Sequence, residues 1–386
     1  MVAAARTEIA YCYWRDGELN EAEITLREAL QKFVVEGDTK ARALLKLTTV
    51  VWSGGRAEEA LRILNENAPL FKRINNHTTR GTFHSQVANM QQTIATAQNR
   101  DEYLKRAIAE YKEAEHQFRL ARNPIFRASV KNNMGVLLSK LSRFKEAHKY
   151  LDEARSLTIR FKDKARTAQI DETRAQVLIA EGRFKDADAV ARRAASALEK
   201  AGHQCLVADA LITQGIALAR SGKSERAQFI FQGAIEVAYK VDAYNKAGMA
   251  ALTMVEEVSE LSPAVLHAAY QQAQEWLANS QSQDILLRLN NAAGKLATSL
   301  RGELSEEQAT EILLSKGFDF QGTMLEYERS IIKRALAQAN GRITHAASLL
   351  RLTYQGLAYI IDSRHPDLLK ERSPVRKRSR KADTLR

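Results

Sequence analysis

The chain is short of the residues that break helices and of those that staple small folds. Its 386 residues include five prolines, 18 glycines and two cysteines, and aromatic residues make up 7%. An all-β protein needs turn residues every ten positions or so, which this composition does not supply. Cys12 and Cys205 lie far apart with no partner motif, so neither a disulfide framework nor a zinc ribbon is expected. No apolar run approaches the roughly 18 residues that cross a bilayer. The opening residues run straight into Glu8, Arg15 and Asp16, and no apolar core of a signal peptide is expected. Motifs of chemistry are missing too: no glycine-rich phosphate loop, no His-Glu-x-x-His, no nucleophile elbow. His77 and His84 are seven apart, too distant to ligate one ion without a third group, and Asn76-His77-Thr78 matches a glycosylation sequon by chance. The expectation is an all-α, cytoplasmic, non-enzymatic protein that needs no metal and no cofactor.

What is present is an ordinary globular balance, 45% hydrophobic and 27% charged, with 58 Lys+Arg against 46 Asp+Glu. The surplus is uneven. From Thr323 to Arg386 there are fourteen Lys/Arg and six Asp/Glu, whereas the preceding residues are close to balance. Such asymmetry points to a polyanion, nucleic acid being the common one; the plainer reading is a solvated tail.

One phrase recurs: a turn residue, a few polar residues, then alanine. It stands at Gly17–Ala22, Gly55–Ala60, Ser142–Ala147, Gly182–Ala187 and Gly222–Ala227, the last three alanines forty apart. Forty before Ala147 stands Ala107, and in most copies a small residue follows seven positions on, Ala29, Ala114, Ala154, Ala194 and Ala234, and another stands twelve positions earlier, Ala10, Ala95, Gly135, Ala175 and Gly215. Small residues at those spacings let two helices approach closely, and Gly or Ser reverses the chain between them. Pro69, Pro124 and Pro263 are expected between helices. A hairpin of this kind cannot bury its apolar face alone, so neighbours stack into a superhelix.

These columns resemble the tetratricopeptide repeat family over roughly residues 3–280, with a period nearer forty than thirty-four. A copy centred on Val255 and His267 is degenerate, and a helix around Ser282–Leu300 is expected to cap the stack. The chain starts inside a first helix, which raises the expectation of upstream repeats. The resemblance implies a concave groove that holds a protein or peptide partner. Projected onto this sequence, the groove positions are Asn89, Gln92, Ser129, Asn132, Gln169, Glu172, Gln176 and Asp209. Amides there suit recognition of a peptide backbone, and the plain alternative is an ordinary solvated surface.

After Gly302 the repeat stops. Ser305-Glu-Glu-Gln308 reads as a capping box opening a short helix to about Lys316, and Gly317–Gly322 breaks the chain again. Leu325, Ile331, Ile332, Ala335, Leu336 and Ala339 then form an apolar stripe on a helix that Asn340-Gly341 ends. Thr344 is placed to cap a very short helix over His345–Leu350, and Thr353 a third over Tyr354–Ile361. Two short helices joined by Arg351-Leu352-Thr353 have helix-turn-helix spacing, with Leu349, Leu350, Leu352 and Leu357 expected in a small core.

From Tyr327 through Asn340-Gly341, Thr344-His-Ala-Ala and Leu349-Leu350 to Leu357, the register resembles the Fis-type DNA-binding domain of bacterial regulators. The resemblance implies that the first helix pairs two copies and that the third enters the major groove. The family's turn usually has glycine where this chain has Arg351, and its third helix is rich in Lys/Arg, of which Thr353–Ile361 has none. Phosphate contacts are therefore expected from Arg342, Thr344, His345, Arg351, Arg364, His365 and the basic residues Arg376, Lys377, Arg378, Arg380 and Lys381. Base reading falls to Thr353, Tyr354 and Gln355, a Gln amide being able to grip adenine.

The expected division is a repeat domain with its capping helix over 1–301, a linker with a short helix over 302–322, a three-helix Fis-like domain over 323–365 and a flexible basic tail over 366–386. The first functional expectation is a bacterial transcription regulator that binds duplex DNA as a homodimer and a protein or peptide in its groove, with no membrane partner. A second is a non-enzymatic scaffold whose C-terminal domain serves oligomerisation or docking. A third, single-stranded RNA binding through Tyr354, Tyr359 and the tail, has fewer exposed aromatics than stacking platforms need.

Overall fold

A computed structural model describes residues 2–15, 18–98, 101–278, 280, 282–303 and 319–371, and these contain helices and no strand. The chain divides into two units, Met1–Leu300 and Arg301–Arg386.

The first unit is a stack of helical hairpins. They are α1 (Val2–Arg15) with α2 (Leu19–Gln31), α3 (Asp38–Ser53) with α4 (Ala57–Glu66) and the short α5 (Ala68–Arg73), and α6 (His77–Gln98) with α7 (Asp101–Leu120). There follow α8 (Pro124–Lys140) with α9 (Phe144–Arg160), α10 (Lys164–Ala180) with α11 (Phe184–Lys200), α12 (Gln204–Arg220) with α13 (Ser224–Tyr239), and α14 (Tyr244–Glu257) with α15 (Pro263–Leu277). The helices α8, α10, α12 and α14 begin at 124, 164, 204 and 244, so the forty-residue period is literal, and each packs on the next of its set.

The turns of α3–α4, α8–α9, α10–α11 and α12–α13 close in one way. The second residue after the helix is left-handed, Ser142 at φ 57°, Gly182 at 81° and Gly222 at 77°. The next backbone N–H then returns to a carbonyl five residues back, Arg143 to Leu138, Arg183 to Leu178 and Lys223 to Leu218. The alanines of the recurring phrase, Ala22, Ala60, Ala147, Ala187 and Ala227, are fully buried. Gly135 and Gly215 sit where a β-carbon would lie 2.8 Å from Leu151 Cγ and from the Phe231 ring respectively. These contacts are why the columns hold small residues.

The prolines correct one expectation. Pro69, Pro124 and Pro263 stand inside the first turn of α5, α8 and α15 rather than between helices. A missing N–H costs nothing there, and the fixed φ starts the helix. Asn123 and Ser262 cap two of these starts by accepting from the backbone N–H of Phe126 and Val265. Finally α16 (Gln283–Glu303) lays Ala292 and Leu296 on the last core cluster, and its Lys295 Nζ donates to the carbonyls of Val255 and Val258 at 2.7 and 3.1 Å.

The second unit comprises α17 (Phe320–Gln338), α18 (Ile343–Leu349), α19 (Tyr354–Arg364) and a closing 3₁₀ turn (Pro366–Glu371). The sequence-expected helix at Ser305–Lys316 and the basic residues from Arg372 onward lie outside the described residues. Asp319 caps α17 by accepting from Gly322 N–H at 2.9 Å. The core is Ile332, Ala335, Leu336 and Ala339 from α17, Ile343, Ala346 and Ala347 from α18, Leu357 and Ile361 from α19, and Leu368. Leu349 and Leu352, expected in the core, are exposed, as are Leu325 and Ile331 of the expected apolar stripe. On α18 the buried stripe runs Ile343, Ala346, Ala347, Leu350, and Leu349 falls one position, about 100°, off it. Thr344 caps nothing: α18 already begins at Ile343, because the Arg342 carbonyl accepts from Ala346 N–H at 3.0 Å.

Candidate DNA-binding and partner-binding sites

Thr353 sets up the candidate reading helix. Its backbone is extended, and its Oγ1 accepts from Gly356 N–H at 3.1 Å, so α19 starts at Tyr354 with Tyr354 and Gln355 turned outward. Gln355, Tyr359 and Asp362, at spacings of four and three, make one exposed face, with Tyr359 70% exposed. Arg342, Thr344, His345 and Arg351 are exposed as well. Among the described residues, neither Arg342 nor Arg351 is recorded in an ion pair, which leaves both guanidinium groups available to phosphates.

Two expected phosphate contacts behave otherwise. His365 is only 3% exposed, with Nε2 3.0 Å from Glu328 Oε2, and Arg364 Nη1 reaches Glu328 Oε1 at 3.1 Å. Together they fasten the end of α19 to α17, so His365 is a structural group and Arg364 a partly neutralised one. Arg329 of α17 similarly holds Asp367 at 2.8 Å and draws its carboxyl below the usual range. The expected tail contacts, Arg376, Lys377, Arg378, Arg380 and Lys381, lie outside the described residues.

In the first unit α8, α10, α12 and α14 line a groove with two hollows. One, of about 360 Å³, is walled by Ser129, Asn132, Asn133, Gln169, Glu172 and Asp209 among others. The next, about 580 Å³, takes in Glu172, Gln176, Asp209, Thr213, Lys246 and Met249. Glu172 and Asp209 belong to both, so the hollows are continuous. Six of the expected groove positions thus come together.

Asn89 and Gln92 do not line these hollows. The Tyr111 hydroxyl donates to Asn89 Oδ1 at 2.6 Å and to Gln92 Oε1 at 3.3 Å, and Asn133 Nδ2 donates to Asn89 Oδ1 at 3.2 Å. Tyr111 is buried, which pushes its phenol far up, and its hydroxyl needs acceptors. The two amides answer that need rather than a ligand's.

Asn133, Thr213 and Lys246 were absent from the sequence-derived set. A signal for two of them existed: Asn133, Thr173, Thr213 and Thr253 are a polar column at the same forty-residue step. Thr213 Oγ1 and Gln176 Nε2 each donate to Glu172 Oε1 at 2.6 Å. Glu172 is half-buried, but its carboxylate lies deep, and burial, reinforced by the nearby Asp209, pushes its pKa up to about 7. Asp209 is paired with Lys246.

Residues 323–361 match the family model of the bacterial regulatory proteins of the Fis family. The C-terminal unit is a Fis-type helix-turn-helix. No curated protein sequence matches the chain significantly. Among solved structures, the chain is similar to a Rap protein complexed with competence and sporulation factor, with 14% identity and a TM-score of 0.51 over 96% of this chain and 98% of that one. Apo RapI is similar at 14% identity and a TM-score of 0.50, over 75% of this chain and all of that one. The tetratricopeptide repeat sensor protein PH0952 of the STAND class from Pyrococcus horikoshii follows at 17% identity and 0.51, over 79% of this chain and 43% of that one. At such identities the likeness is one of fold, a tetratricopeptide-like helical repeat.

Within the Fis-type unit, Arg351 takes the left-handed backbone, φ 55°, that glycine adopts most easily. Replacing it with glycine should relieve about 1 kcal/mol of strain while removing one positive charge. The expected outcome of Arg351→Gly is a higher melting temperature of this unit. Duplex binding should weaken alike on every sequence, with a salt slope smaller by about one. Unchanged binding at all salt concentrations would remove Arg351 from the DNA-facing surface.

Proposed function

We propose that this chain is a non-enzymatic DNA-binding transcription regulator whose repeat groove holds a peptide or protein segment. The observation that carries the reading is the outward, capped N-terminus of α19, Thr353-Tyr354-Gln355, within a segment that matches the Fis family. Contacts at a recognition helix begin at that end, and Gln355 offers the donor–acceptor pair that adenine N6 and N7 require. The groove supports the second half of the proposal, since it is continuous, polar and built from four successive inner helices. The Rap protein of similar fold is complexed with competence and sporulation factor, which is consistent with a ligand-holding superhelix.

Homodimerisation belongs to the same proposal. Met324, Leu325, Tyr327 and Ile331 are exposed on α17, ahead of its buried Ile332, Ala335 and Leu336. Pairing two copies through that stripe would cover it and set two half-sites about one turn apart. The stripe also suits the scaffold reading, so the deciding measurement is sequence-specific binding. Selection from a random duplex library should recover an inverted repeat. Gln355→Ala should cost about 1–3 kcal/mol at one base position only, whereas removal of residues 372–386 should weaken all duplexes and flatten the salt slope. Recovery of no preferred sequence, with dimers that dissociate on Tyr327→Asp, would favour the scaffold.

A further inference from the structure

We propose that the groove seats one basic side chain of an extended peptide, arginine or lysine, against Glu172, between Asn132 and the apolar wall of Ile212, Ile216 and Met249. This rests on the peptide-groove reading and deepens it by naming the chemistry of the ligand.

The charges in the groove are paired directly except at Glu172, which feels the Lys246 charge without forming an ion pair with it. Arg166 pairs with Asp163 at 2.9 Å, Arg220 with Glu257 at 2.6 Å, and Lys246 with Asp209. Glu172 is the groove carboxylate for which, among the described residues, only neutral donors are recorded, and both, Thr213 and Gln176, bond to Oε1. No hydrogen bond to the second oxygen is found among the described residues. Nearby, Asn132 Oδ1 is buried and has no hydrogen-bond partner among the described residues. A buried acceptor that no protein donor reaches is uncommon in folded proteins. Asn132 Oδ1 and the Glu172 carboxylate both accept hydrogen bonds, and the carboxylate carries charge when ionised, so the complementary group is a multi-donor cation. A guanidinium is the best match, because its planar fork can bond a carboxylate and a second acceptor together. The hollows, about 360 and 580 Å³, have room for that side chain and the peptide on either side. Ile212, Ile216 and Met249 in the second hollow suit an apolar neighbour on the peptide.

The groups that face Glu172 fix the direction of its pH dependence. From α12 come Asp209 and Arg220, from α14 Lys246, from α10 itself Arg166, and from α8 only the neutral Ser129, Asn132 and Asn133. Each of these charges other than Glu172 has its own direct ion-pair partner. Glu172, raised to about 7, is half-protonated there and must ionise to hold a cation. Affinity for an arginine peptide should therefore rise about tenfold from pH 6 to pH 8, with release of a proton on binding.

The test uses the full chain and two pools of acetylated, amidated pentapeptides with random flanks, one with central arginine and one with its neutral isostere citrulline. At pH 8 the arginine pool should bind about tenfold more tightly or better. Glu172→Gln, with its helical circular dichroism intact, should bring it down to the citrulline level and abolish the pH dependence. Equal binding of both pools, weakened alike by Asn132→Ala, would keep the groove as a peptide site and overturn the cation assignment. If neither pool binds, or if binding ignores both substitutions, the peptide-groove reading falls along with it.

Discussion

Gly215→Val should lower the stability of the repeat unit by about 3 kcal/mol, more than any change on its surface. The first carbon of any side chain at 215 would lie 2.8–2.9 Å from three ring carbons of Phe231. That ring is fully buried and packed within the cluster that includes Ala227, Ala234 and Leu218, so it has no solvent side to swing toward. Overfilling a packed core usually costs about 1–3 kcal/mol, and replacing glycine in a helix returns less than about 1 kcal/mol. Phe231→Ala, the opposite lesion, should cost about 3–5 kcal/mol by leaving a cavity. The informative variant is the double one. A valine at 215 fills part of the space the ring vacates, so Gly215→Val/Phe231→Ala should be less destabilised than the sum of the singles, by about 1 kcal/mol or more in urea denaturation. Additivity within about 0.5 kcal/mol would mean that helices α12 and α13 do not meet through this pair.

That contact also shows why so much of the repeat unit was legible in the sequence. The forty-residue step, the left-handed turn and the small-residue columns are each local consequences of helices meeting at close range, and each leaves its mark at fixed spacing. The functional face was read less completely, because a period tells which positions face inward but not what the outer helix asks of them. Tyr111 on α7 engages Asn89 and Gln92, and nothing in the spacing of those amides announces a phenol nineteen to twenty-two residues away. His365 looked like a phosphate contact from its place beside Arg364, yet Glu328, thirty-seven residues earlier, draws it inside. The short helices suffered in another way. A seven-residue helix buries a single stripe, so an error of one position in its start sends Leu349 to solvent and leaves Thr344 without a capping role.

Leu357→Ala should separate the two halves of the proposed function. Leu357 is fully buried at the centre of the second unit, whose core is built from ten residues, half of them on α18 and α19. Deleting three buried carbons costs about 2–5 kcal/mol, and a unit of this size has little more than that in total. The helix-turn-helix should therefore be largely unfolded at 25 °C, and specific duplex binding should disappear. The melting of the repeat unit and its peptide affinity should stay where they were, since the core clusters of that unit are built from its own residues. Gln355→Ala provides the contrast, because it leaves every core contact in place and alters only the preferred base. Should Leu357→Ala bind its duplex as tightly as the parent while the second unit has lost its helical signal, the DNA contact would have to come from another part of the chain, and the capped end of α19 would have no part in reading sequence.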